Sequence, residues 1–141
     1  MITRDECEKE LNDILDFWAH TAYNETSGTF YGRITNNNQQ DATAPLGVVL
    51  YARLLWTFSS AYLHTSNPLH KQRADAAYTL LHRHFYDKEH EGFYWSVTAT
   101  GEPLDTQKRY MRLLSCCMGY ALIIQLPRTV RYWRKPDHYS I

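Results

Sequence analysis

Arg53 is the residue whose setting most suggests chemistry. Between Pro45 and His70 no other side chain carries a formal charge. Val48-Val49-Leu50-Tyr51-Ala52 precede it and Leu54-Leu55-Trp56-Thr57-Phe58 follow it. This string is apolar around nearly a whole helical circumference and predicts a helix buried on most faces. A guanidinium there keeps its proton and needs a partner. Two roles are open: a structural ion pair to a carboxylate or helix end, or a donor aimed into a cavity at substrate oxygens or developing negative charge. Trp18, Trp56, Tyr94 and Trp95 could offer stacking faces to sugar rings, although core and helix packing is the commoner use of such side chains.

Other candidate chemistry is weaker. The seven histidines show no H-E-x-x-H spacing. His82 and His84 are two apart and point to different helix faces. The histidines read as surface or capping residues, and no metal site is predicted. Asp87 with Glu89-His90-Glu91 makes an acidic turn, but it lacks the acidic alternation and closing Glu of a calcium loop. There is no glycine-rich phosphate loop and no G-x-S-x-G elbow.

Helices and short turns must position these residues. Residues 3–20 read as a helix, opened by a Thr3/Glu6 capping box and carrying Leu11, Ile14, Leu15 and Trp18 at helical spacing. A turn at 24–28 and a β-like piece at 29–34 precede a polar loop at 35–40. Thr43 and Pro45 open a second helix to about His64, and Asn67-Pro68 breaks it. A third helix covers roughly 69–86. Glu91–Val97 is again strand-like, and Asp105-Thr106 can cap a fourth helix. Phe30-Tyr31 and Phe93-Tyr94 lie 63 residues apart, and Asp41 and Asp105 lie 64 apart. This is a weak internal repeat of strand-like turn, loop, helix, helix, of a kind whose units stack because one alone cannot bury its apolar face. About two units are present.

Composition narrows the function classes. The 141 residues hold 15 acidic and 15 basic side chains, so the formal charge is zero, which argues against nucleic-acid or anionic-membrane partners. Hydrophobic residues make up 44%, which argues against disorder. Aromatics make up 14%, enough to pack or bind something flat. Cys7, Cys116 and Cys117 are odd in number with two adjacent, so no disulfide framework is expected. The charged N-terminal segment has no apolar signal core, and Leu113–Leu126 is too short to span a bilayer. The expectation is a cytoplasmic protein.

Several strings together carry a resemblance. They are Ala44-Pro45-Leu46-Gly47-Val48-Val49-Leu50-Tyr51-Ala52-Arg53-Leu54-Leu55-Trp56-Thr57-Phe58-Ser59, Gly92-Phe93-Tyr94-Trp95-Ser96-Val97 and Gly101-Glu102-Pro103-Leu104-Asp105-Thr106-Gln107-Lys108. With Phe17-Trp18 and Phe30-Tyr31-Gly32, residues 1–108 resemble the N-terminal part of the N-acylglucosamine 2-epimerase family, in its cellobiose-epimerising branch. The resemblance implies an all-α fold, with this chain as about two helix pairs of an (α/α)6 barrel and short β-like turns at one end. It implies reversible C2 epimerisation of the reducing-end glucose of a cellobiose-like β-1,4 disaccharide to mannose, through ring opening and an enediolate, with no cofactor. The family arginine that stabilises the enediolate oxygens falls on Arg53. Tyr94 and Trp95 become candidate substrate contacts. The two proton-transferring histidines of the family match none of the seven here, so the chain alone is expected to be inactive. A non-catalytic helical carbohydrate-binding or interaction module is the alternative. The oligomeric state is left open.

The sequence departs from the family at Thr29 and Glu91, where Gly is usual, at Leu46, often Lys, and at Tyr51, commonly Asn or His. A larger departure follows Lys108, where the family continues K-x-x-Y-A-x-A-F. A frame shifted by one base at that codon can encode Thr-Val-Tyr-Ala-x-Ala-Phe-Leu-Leu-Tyr-Gly, with Tyr restored three places after Lys108. Residues 109–141 are therefore expected to be a divergent, out-of-frame tail. The nucleotide sequence tests this: one added base near codon 108 should open a long frame continuing the barrel, and absence of that frame would overturn it.

Overall fold

A computed structural model describes residues 2–107, and the expected tail at 109–141, with Cys116, Cys117 and His138, lies outside them. Helix α1 (Arg4–Asp16) begins at the expected capping box: Glu6 N–H donates to Thr3 Oγ1, and the Glu6 carboxylate accepts from Thr3 N–H at 2.8 Å. Helix α2 (Val48–Thr65) ends at Ser66, whose left-handed φ of 55° turns the chain. Helix α3 (Pro68–Leu80) starts at Asn67, whose side chain accepts from Leu69 N–H, with Pro68 at the first helical position. Between α1 and α2 run the two-residue strands β1 (Tyr23–Asn24), β2 (Thr29–Phe30), β3 (Arg33–Ile34), β4 (Gln40–Asp41) and β5 (Leu46–Gly47). After α3 come β6 (Ser96–Val97) and β7 (Pro103–Asp105). All pairings are antiparallel: β1 with β2, β3 with β4, and a three-stranded β5-β6-β7 sheet. The β-like turns are thus small sheets, and Asp105 sits in a strand. Any fourth helix lies outside the described residues.

The internal repeat is realised bond by bond. α1 runs into a π-helical turn, Phe17–Thr21, and α3 into another, Leu81–Phe85. Ala22 N–H donates to Phe17 O, and Tyr86 N–H to Leu81 O, both at 3.0 Å. An Asx turn follows each. Asn24 Oδ1 accepts from Thr26 and Ser27 N–H, and Asp87 Oδ1 from Glu89 and His90 N–H. The returning chain docks alike: Tyr31 N–H donates to Ala22 O at 2.9 Å and Tyr94 N–H to Phe85 O at 2.8 Å. Two hairpins come next. Thr35 Oγ1 accepts from Gln39 N–H in the first and Thr98 Oγ1 from Glu102 N–H in the second, each at 3.1 Å. Each hairpin ends in an aspartate that accepts from the N–H two residues on, Asp41 from Thr43 and Asp105 from Gln107. The offset grows from 63 to 64 because Leu104 bulges between Pro103 and Asp105, which face Val97 and Ser96. Glu91, where the resemblance expects Gly, holds a φ of 54°, the region that favours glycine.

Helix α2 packs mainly on α3, and the core lies between them and the hairpins. The Tyr51 hydroxyl donates to Phe30 O at 2.7 Å and accepts from Phe30 N–H at 3.0 Å, so one buried side chain closes both backbone groups of a β2 residue. Burial pushes the Tyr51 hydroxyl pKa far above its ordinary value. A Cβ on Gly32 would lie 2.2 Å from Pro45 O, so only glycine lets the two segments cross there. The apolar spacing of α1 is used sparingly: Leu15 is buried, while Leu11 and Ile14 stay exposed because no second layer covers that helix among the described residues.

Tyr51→Phe should lower unfolding free energy by about 1–3 kcal/mol, because it leaves a buried N–H and C=O without a partner. Denaturant melts of the two chains measure this, and an unchanged midpoint would contradict the clasp.

Candidate functional site

The structure puts Arg53 on the surface, not inside. α2 is buried along Val48, Tyr51, Ala52, Leu54, Leu55, Phe58 and Ser59, and Arg53 is exposed on the opposite face with Trp56 half-exposed beside it. Among the described residues its guanidinium has no hydrogen-bond or ion-pair partner. The expectation of a helix buried on most faces is corrected: the face of α2 that carries Arg53 also carries Thr57, Ser60 and His64, and among the described residues only the side toward α3 and the hairpins is covered.

The arginine with the structural role is Arg73 on α3. It is 5% exposed, its Nε donates to Ala19 O at 2.8 Å, and its guanidinium pairs with Glu25 and lies 3.7 Å over the Tyr23 ring. Sequence reasoning missed it because Arg73 lies in a mixed, charged stretch. The one available signal was its place beside Ala74 and Ala77, small residues that mark a close-packed face.

Tyr94 and Trp95 lie half-buried against the core, on the segment leading into β6. Trp95 N–H donates to Asp105 O at 2.8 Å, and its C=O accepts from Val48 N–H, the first amide of α2, at 3.1 Å. Arg53 follows five residues later, about 7–8 Å along the helix. The fold therefore brings Trp95 and Arg53 to the same end of α2. Trp18 sits elsewhere, in the first π-helical turn, edge-on to Phe17 with ring centroids 5.9 Å apart. A small cavity of about 60 Å³ at the hairpin end is lined by Asn24, Ser27, Tyr31, Asp41 and Ala99 among others. Hydrogen bonds from the Thr43 side chain and backbone, then from Arg33, hold the Asp41 carboxyl at about 2.

Two histidines correct the surface reading. His70 is buried, with Nδ1 2.9 Å from Thr65 Oγ1 and its ring against Phe58. His82 is half-buried among Tyr78, Tyr86 and Phe93, at centroid distances of 5.0, 5.7 and 6.3 Å. Desolvation there lowers its pKa from 6.5 to about 4. The acidic turn is also accounted for, since buried Asp87 serves as the Asx acceptor. Among the described residues no group of three or more His, Cys, Asp or Glu could hold a metal ion, and no helix is long and apolar enough to cross a membrane.

The sequence pattern of the N-acylglucosamine 2-epimerase family matches residues 28–125. The chain belongs to that family. A cellobiose 2-epimerase from Bacteroides fragilis is 42% identical over 109 residues, covering 77% of this chain and 28% of the relative. One from Dictyoglomus turgidum is 37% identical over 112 residues, covering 76% and 28%. The solved cellobiose 2-epimerase from Spirochaeta thermophila superposes with a TM-score of 0.64 at 42% identity, over 72% of this chain and 26% of that one. A solved sugar epimerase from a ruminal bacterium gives 0.75 at 32% identity, over 84% and 30%. A D-mannose isomerase structure, at 21% identity and a TM-score of 0.75, shares the fold. The chain spans about 28% of the length of these curated relatives.

The His82 environment predicts a pH effect. Its folded pKa lies below the unfolded value, so the unfolded chain binds the proton more readily as pH falls from 6.5 toward 4. Stability should decline through that window, and His82→Phe should flatten this part of the profile. Identical profiles in thermal melts from pH 7 to about pH 4 would refute the assignment.

Proposed function

We propose that the chain is the N-terminal portion of an (α/α)6-barrel carbohydrate 2-epimerase. The substrate is a cellobiose-like disaccharide whose reducing-end glucose is converted to mannose. The observation that carries this reading is the unpaired Arg53 guanidinium on the open face of α2, in a chain 42% identical to a cellobiose 2-epimerase over 109 residues.

Removal of the C2 proton from the ring-opened sugar leaves an electron pair that spreads onto the C1 oxygen. Reprotonation at the other face of C2 gives the epimer. Arg53 is a donor that cannot lose its own proton, so it stabilises the enediolate oxygens without joining the proton transfer. Tyr94 and Trp95, at the hairpin end, are the proposed stacking contacts. The proton-transferring histidines are not among the residues described, and the chain is proposed to lack catalysis by itself. In the same reading residues 1–108 form the barrel portion and 109–141 a divergent tail, while the family match itself continues to residue 125.

Cellobiose deuterated at C2 of its reducing end tests the assignment. This chain should release no deuterium and form no mannose-ended disaccharide. The Arg53 Nε–H resonance should nonetheless shift on titration with cellobiose. Turnover would overturn the placement of the acid-base groups outside this chain. An unmoved Arg53 signal would overturn its substrate role.

A further inference from the structure

Helix α2 divides its open face into three strips. At 3.6 residues per turn, Thr57, Ser60 and His64 fall within about 40° of Arg53, as does the half-buried Val49 one turn before it. Trp56 and Leu63 fall about 60–80° to one side, and Leu50 and Ala61 the same distance to the other. The opposite arc is the buried one. From Arg53 onward the centre of the open face is thus polar, and its two shoulders are apolar. Trp56 and Leu63 remain 50% and 43% exposed, as expected of shoulders that other helices cover and not of a surface built for water. Among the described residues the hydroxyls of Thr57 and Ser60 have no hydrogen-bond partner, although a helical Ser or Thr readily bonds the carbonyl four residues back, as Thr65 does to Ala61 O at 2.8 Å.

We infer that Thr57 and Ser60 continue the Arg53 strip as hydroxyl-recognising residues for the sugar, with Thr57 the specificity contact next to the guanidinium. Thr57 stands one turn beyond Arg53, about 6 Å along the axis, which is the width of a pyranose ring. A hydroxyl both donates and accepts, whereas Arg53 only donates, so the pair can read a sugar hydroxyl and the neighbouring oxygen together. Trp56 belongs to a shoulder, and its indole serves packing. The inference rests on the proposed carbohydrate site at Arg53.

Titration of the isotope-labelled full chain with cellobiose, followed at the Arg53 Nε–H, the Thr57 methyl and the Trp56 indole, tests it. The expected result is saturable shifts at Arg53 and Thr57 with Trp56 unmoved. Thr57→Val should weaken binding several-fold, and Thr57→Ser should restore most of it. Shifts at Arg53 with Thr57 silent, or a Thr57→Val chain that keeps its fold and full affinity, would overturn the strip and leave the Arg53 site standing. Silence at both residues would overturn both.

Discussion

The Tyr51 hydroxyl ties the helical layer to the hairpin layer at its buried centre. Tyr51 reaches from the buried face of α2 to both backbone groups of Phe30, and Phe30 in turn stacks on Phe58 and meets Tyr23 edge-on. Because the bonds are to backbone, they fix the height of β2 along α2 whatever side chains surround it. Once that height is set, the crossing at Gly32 and Pro45 follows, and with it the entry of β5 into the first turn of α2. The clasp uses the buried face of α2, opposite the face that carries Arg53. Tyr51 stands where the resemblance leads one to expect Asn or His, and in this chain it is fully buried.

The repeat explains why so small a chain has order at its hairpin end. Each unit closes a helix with a π-helical turn, spends an Asn or Asp on an Asx turn, and returns through a hairpin to another aspartate. These are local bonds, satisfied within each unit. Contacts between units are fewer and more specific: Arg73 to Ala19 O, β5 to β6, and Val48 to Trp95. Local closure with sparse junctions is the pattern of an array built by stacking, and among the described residues it leaves Leu11, Ile14, Trp56 and Leu63 exposed.

Much of this was legible in the sequence. The Thr3/Glu6 box, the Asn67-Pro68 break and the 63-residue echo each rest on bonds a few residues long, which sequence spacing encodes directly. The π-helical turns were not legible, because nothing in Phe17–Thr21 or Leu81–Phe85 distinguishes a five-residue from a four-residue bond. Burial was the larger error. Periodicity tells which residues of α2 are apolar, but not which faces other elements reach. Arg53, the lone charge in an apolar helix, is exposed, while Arg73, in a charged stretch, is buried. Partners such as Ala19 O and the Tyr23 ring lie about 50 residues away in sequence and are assembled only by the fold.

The two arginines differ in exposure: Arg53 faces outward from α2, and Arg73 is enclosed against Ala19, Tyr23 and Glu25. An arginine-selective dicarbonyl, applied to the native chain and mapped by mass spectrometry, measures this difference directly. Rapid modification is expected at Arg53, with protection at Arg73 until the chain is unfolded. Protection of Arg53 together with rapid modification of Arg73 in the native chain would contradict this arrangement.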